Sequence, residues 1–71
     1  MSYIVIELQT TNGTTSNIVT THATRQEAES KYHLILSAAA VSNVPLHAAT
    51  ILTADGFQLM HQAYTHEAVG A

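Results

Sequence analysis

No cysteine occurs in this chain, so no disulfide can brace it. Only Arg25 and Lys31 are basic, and Pro45 is the one proline. Each shortage excludes something. Duplex nucleic acid is held by several Lys and Arg side chains that neutralise phosphates; two per chain are too few unless symmetry gathers them. No apolar run approaches the roughly 20 residues of a membrane span, and no basic-then-apolar leader opens the chain, so a soluble protein without a membrane partner is expected. Charged residues make up only 10% of the 71, an unusually low share for a lone small domain. A domain this short buries only about 60% of its unfolded surface. Without disulfides or a visible metal cluster, association of copies is the remaining common route to burying more apolar area.

What is present is one strong helical signal. Thr24 followed three residues later by Glu27 forms a capping box, with the Thr hydroxyl accepting the Glu27 N–H and the Glu27 carboxylate reaching back to the Thr24 N–H. The helix is expected over about 25–42. Pro45 forces Val44 into an extended conformation, and Asn43 suits a left-handed cap. Arg25 with Glu29 and Glu27 with Lys31 are spaced four apart and can pair. Ala28, Tyr32, Ile35 and Ala39 share one line, while Gln26, Ser30, His33 and Ser37 share the opposite one. Leu34, Ala38 and Val41 make a second apolar edge. Two readings fit that edge: a broad core face, or a helix that also meets another subunit.

Strands are expected on both sides, over about 3–9, 15–22, 46–53 and 57–65. In the first, Ile4, Ile6 and Leu8 alternate with Tyr3, Val5, Glu7 and Gln9. Asn12-Gly13 is a hairpin signal with two registers open. A two-residue turn sets Val19 opposite Ile6; a turn with a glycine bulge sets Ile18 there, and the difference exchanges the faces. Asp55-Gly56 suits a type I turn with Gly56 left-handed, and residues 66–71 read as a frayed tail. The fold class is therefore α+β, in the order ββαββ: a four-stranded, mainly antiparallel sheet with one helix packed on one face. The outer face is expected to carry Tyr3, Val5 and one of Ile18 or Val19. Left partly apolar, that face or the sheet edges would join copies into a symmetric oligomer, a dimer by default.

Candidate ligand-binding residues are Arg25, Ser30, Lys31, His33, Tyr3 and Tyr64. Arg25 and Lys31 lie near a helix N-terminus, where backbone N–H groups and the dipole favour anions. The bland alternative is that they only pair with Glu29 and Glu27. Ser30 and His33 belong either to a solvated helix face or to a polar groove wall. Tyr3 and Tyr64 either fill space or, flanking a cleft, sandwich a base. His22, His33, His47, His61 and His66 lack the close, face-sharing spacing of metal ligands, so no metal and no cofactor are expected. Asp55 is explained by its turn and Glu27 by its cap. Without a nucleophile elbow, a Gly-rich phosphate loop or a carboxylate pair, enzymatic activity is not expected.

The opening Tyr3–Thr10, the Asn12-Gly13 turn, the segment Glu29–Ala49 and the block Leu52–Gly56 resemble a family of small proteins encoded by phages and prophages of Gram-positive gut Firmicutes. The resemblance spans most of the chain and carries no catalytic signature. It implies a phage context and no more; the expected location is the cytoplasm of the infected bacterial host, or the virion. The expectation is a non-enzymatic homo-oligomer that sequesters a nucleotide-derived immune signal, of cyclic nucleotide or ADP-ribose type. The alternatives are a virion or morphogenesis accessory protein, and a direct protein inhibitor of a host defence enzyme.

Overall fold

The computed structural model describes residues 2–66. The chain runs β1 (Tyr3–Thr11), β2 (Thr14–His22), α1 (Arg25–Val41), β3 (Leu46–Thr53) and β4 (Gln58–Thr65). The four strands form one sheet in the order β2-β1-β3-β4, with every neighbouring pair antiparallel. The α+β ββαββ architecture is as expected.

The first hairpin closes through the two-residue turn. Asn12 and Gly13 both have positive φ, 53° and 79°, as a type I′ turn requires. Ile6 therefore pairs with Val19, and Ile18 with Glu7. The second hairpin turns at Gly56, φ 90°, whose N–H donates to the Thr53 carbonyl at 2.8 Å. The Thr53 hydroxyl donates to the Asp55 carboxylate within that turn. Further along, Ile51 pairs with Met60 but Leu52 pairs with Gln58, so Leu59 is an extra bulged residue. The bulge lets Leu59 and Met60, adjacent in sequence, both pack against the core.

At the helix start the Glu27 N–H donates to the Thr24 hydroxyl at 3.2 Å. The return bond of the capping box, from the Glu27 carboxylate, is not formed among the described residues. At the other end Val41 is the last helical residue and Ser42 leaves with φ −79° and ψ 164°. No left-handed cap forms at Asn43; an extended Ser42 takes its place, with both its N–H and its hydroxyl 3.3 Å from the Ala39 carbonyl. His66 is not frayed. Its N–H donates to the Pro45 carbonyl at 2.8 Å, while 67–71 lie outside the described residues.

The core joins Val5, Ala49 and Ile51 of the sheet to Ala28, Tyr32 and Ile35 of the helix, with Tyr3 and Leu36 packed against them. This corrects the expected faces. Tyr3 and Val5 lie beneath the helix, and Ile4, Ile6 and Leu8 lie on the uncovered side. The connection supplies the reason. β2 and β3 are both antiparallel to β1 and so run parallel to each other, with α1 as their crossover. Such crossovers are right-handed almost without exception, so the hand of the crossover, together with the hairpin register, constrains which face is covered. Small side chains there, Ala28, Ala39 and Ala49, then let the helix settle close to the strands.

The Thr24 cap generates a direct test. Thr24→Ala should lower unfolding stability by about 1 kcal/mol, read as a lower urea midpoint with an unchanged slope. An unchanged midpoint would mean that the cap contributes nothing.

Candidate functional site

The polar groups cluster at two places. One lies on the covered sheet face beneath the helix C-terminus. Alternation puts Glu7 and Gln9 of β1 on the Val5 side, and His47 of β3 on the Ile51 side. His47 is only 4% exposed. Its Nε2 lies 2.6 Å from Glu7 Oε2, and its Nδ1 lies 3.2 Å from Ser42 Oγ. Gln9 Nε2 donates to the same Glu7 oxygen at 3.0 Å. His66 joins from beyond β4, with Nε2 donating to the Ala39 carbonyl at 2.8 Å. The last helical turn carries no basic residue of its own. His66 thus brings an N–H donor to a helix end whose carbonyls carry partial negative charge, and His47 reaches that end through the Ser42 hydroxyl.

Proton bookkeeping constrains this cluster. Ionised Glu7 only accepts, so His47 Nε2 carries a hydrogen. The Ser42 hydroxyl has one proton to give, to the Ala39 carbonyl or to His47 Nδ1. Burial by itself raises the Glu7 carboxyl. The hydrogen bonds from His47 and Gln9, with the charges of His47 and Lys31, outweigh that and hold it below the usual carboxylate range. Serine, histidine and carboxylate in series resemble a nucleophile relay. Beside Ser42 Oγ, however, stands the Ala39 carbonyl, an acceptor, where acyl transfer needs donors for an oxyanion. The arrangement suits fastening the helix end to the sheet.

The second cluster is the outer surface of the helix. Arg25 pairs with Glu29, Nε to Oε2 at 2.8 Å, both side chains substantially exposed. A Glu27–Lys31 pair is not formed; Lys31 instead acts on Glu7. At about 100° per residue Arg25 and Lys31 fall on opposite flanks of the buried stripe. Ser30 and His33 are exposed, and the His33 ring meets the Tyr32 edge at 5.3 Å. Tyr3 and Tyr64 both belong to the covered side but sit at opposite ends of it, opposite Thr53 and His47. Those two β3 positions are roughly 20 Å apart at the rise of a strand. One chain therefore does not bring the six candidate residues into one pocket, and Tyr3 with Tyr64 cannot sandwich a base within it. Burial raises the Tyr32 hydroxyl, and neighbouring Tyr64 adds to the shift.

The sequence reading missed the Glu7–His47–Ser42 chain. Glu7 and His47 are 40 residues apart and on neighbouring strands. The signal available was a glutamate and a histidine each alternating in phase with core aliphatics. Among the described residues no group of three or more His, Cys, Asp or Glu side chains converges to hold a metal ion. No described helix is long and apolar enough to cross a membrane.

The lowered Glu7 carboxyl sets the sign of a pH effect. Its contribution to stability is fully present above the ordinary value of 4.5 and is lost as pH falls through the lower folded value. Asp55, also lowered, by the Thr53 hydroxyl and the Phe57 backbone, acts in the same direction but below its own ordinary value of 3.8. Glu7→Gln should therefore flatten, without abolishing, the loss of urea midpoint below pH 4.5. Identical pH profiles for the two proteins would remove Glu7 from the account.

In comparisons with known proteins, the chain matches no family model, no curated protein and no solved structure.

Proposed function

We propose that this chain is a phage-encoded, non-enzymatic binding protein that works as assembled copies. It counters host defence by sequestering a nucleotide-derived immune signal, of cyclic nucleotide or cyclic ADP-ribose type, where copies meet. One observation carries the assembly on which this reading stands. The sheet face away from the helix holds Ile4, Ile6, Leu8, Leu46 and Leu52, with no Asp, Glu, Lys or Arg among its residues. The polar groups beneath the helix end favour binding over catalysis, because Glu7, His47 and Ser42 are occupied with one another.

In this reading Arg25 and Lys31 meet the phosphates, and Ser30 and His33 meet the sugar or base. Tyr3 and Tyr64 stack a base only if they come from different copies, given their separation within one. The phage context comes from the sequence resemblance. A second reading, a virion or morphogenesis accessory, is favoured by the edge strand β2. It runs Thr14–His22 without a Lys, Glu or Pro to discourage pairing with another chain.

Calorimetric titration of the folded protein with cyclic dinucleotides and cyclic ADP-ribose isomers tests the first reading. Saturable binding, weakened about tenfold or more by Arg25→Ala, is expected. No heat across the panel overturns it. Stoichiometric presence in purified particles, read by mass spectrometry, would support the second reading, and specific recovery of one host enzyme in a pull-down would support direct inhibition.

A further inference from the structure

We infer that the uncovered sheet face is an interface between two copies of this chain, packed face to face about a two-fold axis with the helices outward. The inference rests on the reading that copies assemble, and it specifies the surface that joins them.

Register defines the face. β1 contributes Ile4, Ile6, Leu8 and Thr10; β3 contributes Leu46, Ala48, Thr50 and Leu52. These are the two central strands. The edge strands contribute Thr15, Asn17, Val19 and Thr21 on one side, and Gln58, His61, Ala63 and Thr65 on the other. The apolar bulk is thus central and the polar groups peripheral, the plan of a protein–protein interface with a dry middle and a wet rim. Cross-strand pairs make the middle continuous: Ile4 with Leu52, Ile6 with Val19, and Leu8 with Ala48. Ala48 is already buried between Leu8 and Ala63.

A second copy is the occupant that fits. The chain carries a net charge of −3, yet the face itself has no residue of fixed charge, so a copy of it meets no like charge there. A self-complementary patch is what a two-fold axis requires. The size fits as well. Four strands about 4.8 Å apart and about 28 Å long outline roughly 500 Å² before side-chain relief is counted. That is of the order of the ~800 Å² of accessible surface each partner gives up in a standard interface. Two such sheets stack about 10 Å apart. The exposed helical residues Leu34 and Val41 offer only a narrow stripe by comparison.

The test is molar mass by light scattering at micromolar concentration, with circular dichroism to confirm folding. The unchanged protein should run at twice its 7.6 kDa chain mass or a multiple of that. Ile6→Glu, at the centre of the face, should weaken association by ~100-fold or more and yield single chains. Leu46→Glu, on the other central strand and already 39% exposed, is the second variant should Ile6→Glu fail to fold. Leu34→Glu, on the helix, should leave the mass unchanged. A single-chain mass for the unchanged protein overturns this inference together with the assembly reading. A multi-chain mass that survives a folded central-strand variant, or is lost only in Leu34→Glu, overturns this inference alone. Copies would then join through sheet edges or helices.

Discussion

One helix can cover one face of a sheet, and this chain makes both faces of its sheet apolar. Much else about the protein follows from that mismatch. Beneath the helix, Val5 and Ile51 are the largest fully buried side chains, and alanines supply much of the remaining core. The bulkier aliphatics of β1 lie on the other side. A 71-residue chain cannot spare that much apolar area without cost, since its folded state is only marginally favoured. The small covered core and the aliphatic face away from the helix are two sides of one sheet, and the proposed pairing of copies rests on the second.

The pair of buried His47 and half-buried Glu7 has to be understood within that thin core. Removing two ionisable groups from water is costly, and their attraction repays the cost only when the remaining hydrogen-bonding positions are filled. Here Ser42 meets His47 Nδ1 and Gln9 adds a second donor to Glu7 Oε2. The partners come from β1, β3 and the residue that ends the helix, so the network has its full set of bonds only with α1 on this face and in this position. Among the described residues no buried side-chain polar atom lacks a partner. Apolar contacts among alanines are forgiving of small shifts, whereas these hydrogen bonds are directional. That division of labour, alanines for approach and the polar pair for position, explains why charge sits in a core that can hardly spare apolar volume.

The parts of this fold that the sequence made legible are the local ones. Thr24, Pro45, Asn12-Gly13 and Asp55-Gly56 act within a few residues of themselves, and they placed the helix and both hairpins. Which face of β1 the helix covers was not legible, because that strand alternates between two apolar sets and its residues carry no record of crossover hand. The register of the first hairpin was undecided for a related reason: Ile18 and Val19 are equally good core candidates, and only the positive φ of both turn residues separates them. The Glu7–His47–Ser42 chain was missed because strand pairing, not spacing, brings it together. The candidate ligand residues were chosen for their chemistry, and the helix then set Arg25 and Lys31 on different flanks, a consequence of the 3.6-residue turn that spacing alone does foretell.

Joining copies by the open face has a further geometric consequence. The helices then lie on the two outer surfaces, and with them the only two cations of each chain. A two-layer pair buries its aliphatics yet creates no concave cationic site at its own junction, because the surface it closes is the one without charge. Phosphate groups could meet Arg25 and Lys31 together only where the outer surfaces of two such pairs approach. Arg25 would also have to leave Glu29 or be shared with it, and an exposed ion pair of this kind holds by well under 1 kcal/mol. The face proposed to join copies and the surface that carries Arg25 and Lys31 are therefore different surfaces, with the sheet between them, and substitutions on one need not disturb the other.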